Sequence, residues 1–272
     1  MLSGMCTIGA LRIDDDEFLL FKNKDFAQSS FSDRLVLDAD MFGPMGLETF
    51  AADGTVESVF SGLSVGANRH GLFACVNDVQ ITDPSHRNYD RLVETALREA
   101  RTVEEAISAI SDEVAAQPYW WGNLILADRQ DLAAVEVRGQ QIRVEQQASR
   151  IFRTNHQPLF GDTGSPDGLA CSATRFVSAQ GRLGDVRSVD DLKAMLASHD
   201  DGATGICNHG VPLTTVYSYI LQSRAGELTL HIAAGLPCEA GWTVLPLPLG
   251  ARWTVEREAG FRSAYPGAVA AS

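Results

Sequence analysis

No apolar run in this 272-residue chain approaches the ~20 residues that a bilayer-spanning helix requires, so membrane spans of that kind are not expected. Positive charge is also scarce: 22 Lys and Arg stand against 35 Asp and Glu, a formal net charge of −13. Nucleic-acid affinity comes largely from cations that neutralise phosphates, and this balance sets that partner class aside. An anionic membrane surface repels the chain for the same reason. The opening Met1-Leu2-Ser3-Gly4-Met5 has neither a basic stretch nor a long apolar one, so no secretory signal is read there and the expected location is cytoplasmic. The five cysteines, Cys6, Cys75, Cys171, Cys207 and Cys238, are odd in number and scattered, without a C-x-x-C pair. That argues against a disulfide framework and a zinc-ribbon or redox motif. Internal repeats, low-complexity tracts and linkers are missing too, and one domain over 6–272, preceded by a short propeptide or alternative start at 1–5, is expected.

What remains is a chain with 45% apolar residues, enough for a sizeable core. Cys6 to Ile13, an acidic turn at Asp14-Asp15-Asp16, and Glu17 to Phe21 read as a hairpin. Strands are expected at 34–37, 56–60, 71–76, 122–127, 132–137, 141–145 and 151–153. Between them, Leu92, Val93, Ala96, Leu97, Ala100, Val103, Ala106, Ile107 and Ile110 recur at helical spacing. Thr102 with Glu105 makes a capping box that splits this stretch into two helices. A further helix starts after Ser188, and 214–222 with 227–233 form a closing hairpin. Strands in blocks, instead of alternating with helices, favour α+β layers.

Cys6 opens the first strand, and its position suggests a chemistry. A terminal cysteine carries a thiol with pKa about 8.5 beside its own α-amine with pKa about 7.7–8.0, so nucleophile and base sit in one residue and no histidine is needed. The amine must first be free. Three routes are open: Cys6 attacks the Met5 carbonyl in an N-to-S acyl shift, an aminopeptidase removes Met5, or Met5 is the translation start. The second strand ends in Phe21-Lys22-Asn23-Lys24-Asp25-Phe26, and folding the hairpin brings Asp25 close to Cys6. There an acid can hold the α-amine by a charge-assisted hydrogen bond.

Cys6-Thr7 followed by Lys22-Asn23-Lys24-Asp25 resembles the opening of the cysteine N-terminal-nucleophile (Ntn) hydrolases: choloylglycine hydrolases, penicillin V acylases and the acyl-CoA:6-aminopenicillanic acid acyltransferases. The choloylglycine branch shows Cys, then Arg-Asn-x-Asp, at the same separation. Lys22 occupies the arginine position, a point charge in place of a bidentate fork. Arg153-Thr154-Asn155-His156 resembles the Thr-Asn-His segment of that superfamily, Ser172-Ala173-Thr174-Arg175-Phe176 its Ser-x-x-Arg-Phe segment, and Gly71 to Asn77 its Gly-Leu strand. Gly205-Ile206-Cys207-Asn208-His209, Thr214-Thr215-Val216 and Gly235-Leu236-Pro237-Cys238 look more like the acyltransferase branch.

The resemblance implies a four-layer αββα sandwich and a hydrolase cleaving a linear, non-protein amide through an acyl-Cys6 thioester. It implies Cys6 as nucleophile, Asp25 holding the amine, Asn155 as an oxyanion donor, Asn77 as the second oxyanion or substrate contact, Arg175 as the cation near the thiolate, and Lys22 as a substrate contact. The partner implied is a small-molecule amide, the reading allows a homo-oligomer, and no cofactor or metal is expected. Acyl transfer to an amine is the alternative within the class. A non-catalytic or metal-binding protein with the same shell is the alternative outside it. For that reading Cys207 and His209 are the candidate ligands, with Cys171 or His156 as neighbours, although structural zinc prefers four ligands at paired short spacings. His70, His86, His199 and His231 show no partner pattern. Trp120-Trp121 and Phe42 are candidate pocket walls, though such aromatics are commonly core.

Overall fold

A computed structural model describes residues 5–27, 33–46, 62–80, 82–83, 85–161, 166–199, 205–211 and 213–267. The expected strand at 56–60 lies outside them.

Strands are numbered in chain order. The first sheet runs β10 (Arg150–Arg153), β1 (Thr7–Arg12), β2 (Glu17–Ala27), β11 (Leu213–Arg224), β12 (Glu227–Ala234), β13 (Thr243–Leu247). The second runs β3 (Asp33–Leu37), β4 (Met41–Gly46), β5 (Val65–Asn68), β6 (Phe73–Gln80), β7 (Tyr119–Ala127), β8 (Leu132–Gly139), β9 (Gln141–Gln147). All these pairings are antiparallel. Among the described residues five α-helices accompany them: α1 (Asp90–Glu99), α2 (Val103–Ala116), α3 (Pro166–Leu183), α4 (Val189–Leu196) and α5 (Val255–Ala264). Among the described residues no helix is long and apolar enough to cross a membrane.

The layers follow from the two-residue period of the strands. On β2, Phe18 and Leu20 face the space between the sheets, where they meet Phe73, Cys75, Ile125 and Ala134 from the second sheet. Their neighbours Leu19 and Phe21 face outward onto Ala179 and Leu183 of α3 and Leu192 and Met195 of α4. On the far side, Ala74, Val76, Leu124, Leu126 and Val135 pack against α1 and α2. The order is helices, sheet, sheet, helices, the expected αββα sandwich. Burying each such Leu or Phe contributes roughly 1.5–3 kcal/mol. Gly9 is required where β1 passes Phe21, because a Cβ there would lie 2.4 Å from the ring.

The break between α1 and α2 forms as the sequence predicts: the Thr102 hydroxyl accepts from Glu105 N–H, while Glu105 reaches back to Arg101 N–H at 2.7 Å. Ser188 caps α4 by accepting from Asp191 N–H. Helices α3 and α5 and strands β4, β5 and β13 are additions to the expected elements.

Candidate active site

The β1–β2 hairpin pairs Thr7 with Asn23, which brings Cys6 beside Lys24 and Asp25. Asp25 N–H points at the Cys6 sulfur at 3.5 Å, and the thiol lies 3.9 Å from the Asp25 carbonyl oxygen. The Asp25 carboxylate accepts from the Thr215 hydroxyl of β11 at 2.7 Å through Oδ1, and its Oδ2 is buried without a partner. Burial lifts the Asp25 pKa to about 7, against the pull of Arg175, Thr215 and Asn208. Burial likewise pushes the Cys6 thiol up to about 12, with the Lys22 ammonium pulling it back and Asp78 and Asp25 adding to the rise. In this form, with the Met5–Cys6 peptide bond intact, the sulfur is a neutral, covered thiol. The Met5 side chain lies beside Cys171, with 3.5 Å between the two sulfurs.

Arg175 is almost fully buried on α3. Its Nη1 donates to the Cys6 carbonyl at 2.8 Å and to Thr7 Oγ1 at 3.3 Å, and its Nη2 donates to Asn155 Oδ1 at 2.9 Å. The guanidinium therefore bridges the nucleophile's main chain and Asn155. The field of Lys22 pulls on the thiol, and that of Arg175 on Asp25. Lys22 follows Phe18 and Leu20 on the inter-sheet face, and its field reaches the Cys6 thiol. Its Nζ donates to the Ser64 carbonyl at 3.3 Å and to the Val76 carbonyl.

Asn155 follows β10 in a segment fixed from several sides. Asn123 Nδ2 donates to the Thr154 and His156 carbonyls at 2.9 and 3.0 Å, and Thr154 Oγ1 donates to the Ser172 carbonyl of α3 at 2.9 Å. The buried Arg153–Glu136 pair, 2.9 Å apart, ties β10 to β8 across the sheets. Asn155 Nδ2 donates to the Asp78 carbonyl at 2.7 Å and to Asp78 Oδ1 at 3.2 Å. An oxyanion would have to compete with these acceptors. Asn77, on β6 directly after Val76, is 1% exposed, and neither its Nδ2 nor its Oδ1 has a partner. A buried amide in that state has a donor available for a ligand oxygen.

The site also contains residues the sequence reading did not single out: Thr215, Asn208, Asp78 and Asn123. Thr215 and Asn208 lie inside segments that carry the resemblance, and Asp78 is next to Asn77, so proximity to those motifs was the available signal. Phe42 packs edge-on against Phe261 in the core, and Trp121 lies under the Arg138 guanidinium at 4.3 Å. Cys207 and His209 are grouped with His199 and Cys238, while Cys171 lies against Met5 and His156 against Ser172.

Solved structures of similar architecture include the conjugated bile acid hydrolase of Clostridium perfringens (14% identity, covering 93% of this chain and 98% of that one, TM-score 0.54). An N-acylethanolamine-hydrolyzing acid amidase ortholog from Caenorhabditis elegans has 12% identity, 92% and 100% coverage, and a TM-score of 0.53. Penicillin V acylase from Agrobacterium tumefaciens has 12% identity, 89% and 86% coverage, and a TM-score of 0.52. At such identity the likeness establishes the Ntn-hydrolase fold. No curated protein matches the sequence significantly. The model of the acyl-coenzyme A:6-aminopenicillanic acid acyl-transferase family matches residues 12–187. With that match spanning most of the chain and the fold agreeing, the protein belongs to this family and is an Ntn-type enzyme for carbon–nitrogen bonds other than peptide bonds.

Proposed function

We propose that the working chain begins at Cys6, acts as a single domain over 6–272 in the cytoplasm, and cleaves a linear, non-protein amide through an acyl-Cys6 thioester. The observation that carries this is the meeting of Cys6 with Asp25, whose Oδ2 is buried and unpartnered. A freed Cys6 α-amine would donate an N–H to that oxygen, and the ammonium formed once it takes the thiol proton would offset the cost of burying the carboxylate. Removing the residues ahead of Cys6 also withdraws Met5 from beside Cys171.

The chemistry then runs through this chain's own groups. The α-amine takes the thiol proton, and the thiolate attacks the amide carbonyl carbon. Negative charge gathers on the carbonyl oxygen, where Asn77 and Asn155 donate. Collapse breaks the C–N bond, the leaving amine receives the proton from the Cys6 ammonium, and the acyl group remains on sulfur. Water, giving a proton to the α-amine, then attacks the thioester carbon; the C–S bond breaks, the carboxylic acid leaves, and the sulfur recovers its proton from the Cys6 ammonium. Arg175 holds the Cys6 carbonyl and Asn155 in register, and the Lys22 field favours the thiolate. An amine in place of water turns the same thioester into an acyl donor, the reading favoured by the family model's acyl-transferase description.

Intact-mass analysis before and after a thiol-selective acylating probe tests this. The expected result is a chain starting at Cys6 with one adduct on that residue. A fully active chain that retains residues ahead of Cys6 would overturn it. Added amine acceptors separate transfer from hydrolysis by the mass of the product.

A further inference from the structure

Three separate chain segments converge away from Cys6: the residue His199 after α4, the loop carrying Cys207 and His209 before β11, and Cys238 in the turn after β12. The ligand atoms of all four side chains lie within 4.8 Å of one another. His209 Nε2 is 3.0 Å from His199 Nε2, 3.2 Å from Cys238 Sγ and 3.6 Å from Cys207 Sγ, and the two sulfurs are 3.5 Å apart. One ring nitrogen has either one proton or one lone pair, so hydrogen bonding cannot account for three such contacts. We propose that His199, Cys207, His209 and Cys238 form a tetrahedral Cys2His2 zinc site.

Four of the six edges come close to those of a tetrahedron around a small cation. Zinc–sulfur bonds of about 2.3 Å and zinc–nitrogen bonds of about 2.0–2.1 Å give edges of roughly 3.8 Å for S···S, 3.6 Å for S···N and 3.3 Å for N···N. The S···S, N···N and His209–Cys238 distances fall a few tenths of an ångström inside these, the His209–Cys207 distance matches, and the two distances from His199 to the sulfurs lie within 4.8 Å, which a bound ion would shorten. A mixed thiolate and imidazole set suits zinc, and two thiolates balance its charge. All four positions are filled by protein, which makes the site structural instead of catalytic. What it would fasten is specific. Asn208, between two of the ligands, donates its N–H to Thr215 Oγ1 at 2.9 Å, and Thr215 in turn holds Asp25. The clasp thus secures one wall of the Cys6 site against β11.

The sequence spacing conceals this site. Cys207 and His209 have no second short pair, and Cys238 stands 29 residues beyond His209. Only the return of β12 beside β11 brings it back.

The test uses the whole chain, produced with zinc in the medium and purified under a non-chelating reductant. Elemental analysis is expected to give one zinc per chain. Cobalt(II), added after the zinc is stripped, is expected to give the intense visible bands of a tetrahedral thiolate site. Cys238→Ser and His209→Ala, with folding checked by circular dichroism, should lower zinc occupancy at least tenfold, while Cys171→Ser keeps it. Metal-free wild-type protein that yields only the pale six-coordinate cobalt spectrum overturns the proposal. So does a Cys207–Cys238 disulfide in the reductant-treated chain, or full occupancy in the ligand variants.

Discussion

The main chain of Asp25 frames the sulfur of Cys6, with its N–H at 3.5 Å and its carbonyl oxygen at 3.9 Å, while its carboxylate engages Thr215. One residue thus fixes where the thiol sits through its backbone and keeps a charge in reserve on its side chain. That division allows the sulfur to be removed without disturbing the strand pairing that places it. Cys6→Ala should therefore abolish turnover and leave the circular dichroism spectrum unchanged, at a stability cost of about 1 kcal/mol for a lost buried sulfur. Cys6→Ser should retain a trace, since a hydroxyl is a far weaker nucleophile near neutral pH. Full turnover in either variant contradicts the nucleophile assignment.

Asn77 and Asn155 are separable by experiment because their present partners differ. Asn77 has both amide atoms buried and unpaired, so Asn77→Ala removes an unsatisfied polar group and should leave stability level or slightly higher. If it donates to the oxyanion, kcat should fall about 10²–10³-fold with little change in KM. Asn155→Ala also strands Arg175 Nη2 and the Asp78 acceptors, so it should lower the melting temperature as well as kcat. An Asn77→Ala enzyme with wild-type kcat would assign the oxyanion role to Asn155 and main-chain donors alone.

Much of this arrangement was legible from strand period and caps. The acidic turn and the alternation around it specify the β1–β2 hairpin, and the hairpin alone brings Cys6 to Asp25. The same alternation puts Lys22 in line with Phe18 and Leu20, between the sheets, where its Nζ meets the Ser64 and Val76 carbonyls. Helix α3 was obscured because its polar face, Ser172 and Arg175 included, turns inward to the site, which blurs the apolar stripe. Strand β4 contains Gly43 and Pro44 and β13 contains Pro246, residues that argue against strand on propensity. Tertiary packing overrides them: Gly43 lies against Leu63, and β13 is an edge strand.

Arg175 acts through geometry, and its two conservative replacements should report that. Arg175→Lys keeps a cation near Asp25, but an ammonium cannot span the Cys6 carbonyl and Asn155 Oδ1 with a planar fork. Its kcat should fall at least tenfold while KM changes little. Arg175→Met removes the charge too, leaving two buried acceptors unpaired at about 1–3 kcal/mol each, so its melting temperature should drop further than that of the lysine variant. Equal melting temperatures and equal rates for the two variants would show that the bridge does not position the site.

The pH dependence of stability pits two buried groups against each other. The folded-state pKa of Asp25 is raised from 3.8 to about 7 by burial. The fold with Met5 attached therefore binds this proton more tightly than the unfolded chain, and the stabilisation present below pH 4 is lost as pH rises towards 7. His231 is shifted the other way: burial lowers its pKa from 6.5 to about 4, so its contribution is present above pH 6.5 and lost as pH falls towards 4. Over that shared window the two slopes oppose. In the uncleaved Cys6→Ala chain, Asp25→Asn should leave the His231 slope exposed, with the melting temperature falling as pH drops from 6.5 to 4. His231→Gln should leave the Asp25 slope, with the melting temperature falling as pH rises across the same window. Thermal melts of the parent and both variants in a constant-ionic-strength buffer series would measure this, and parallel curves for all three would refute the burial of either charge.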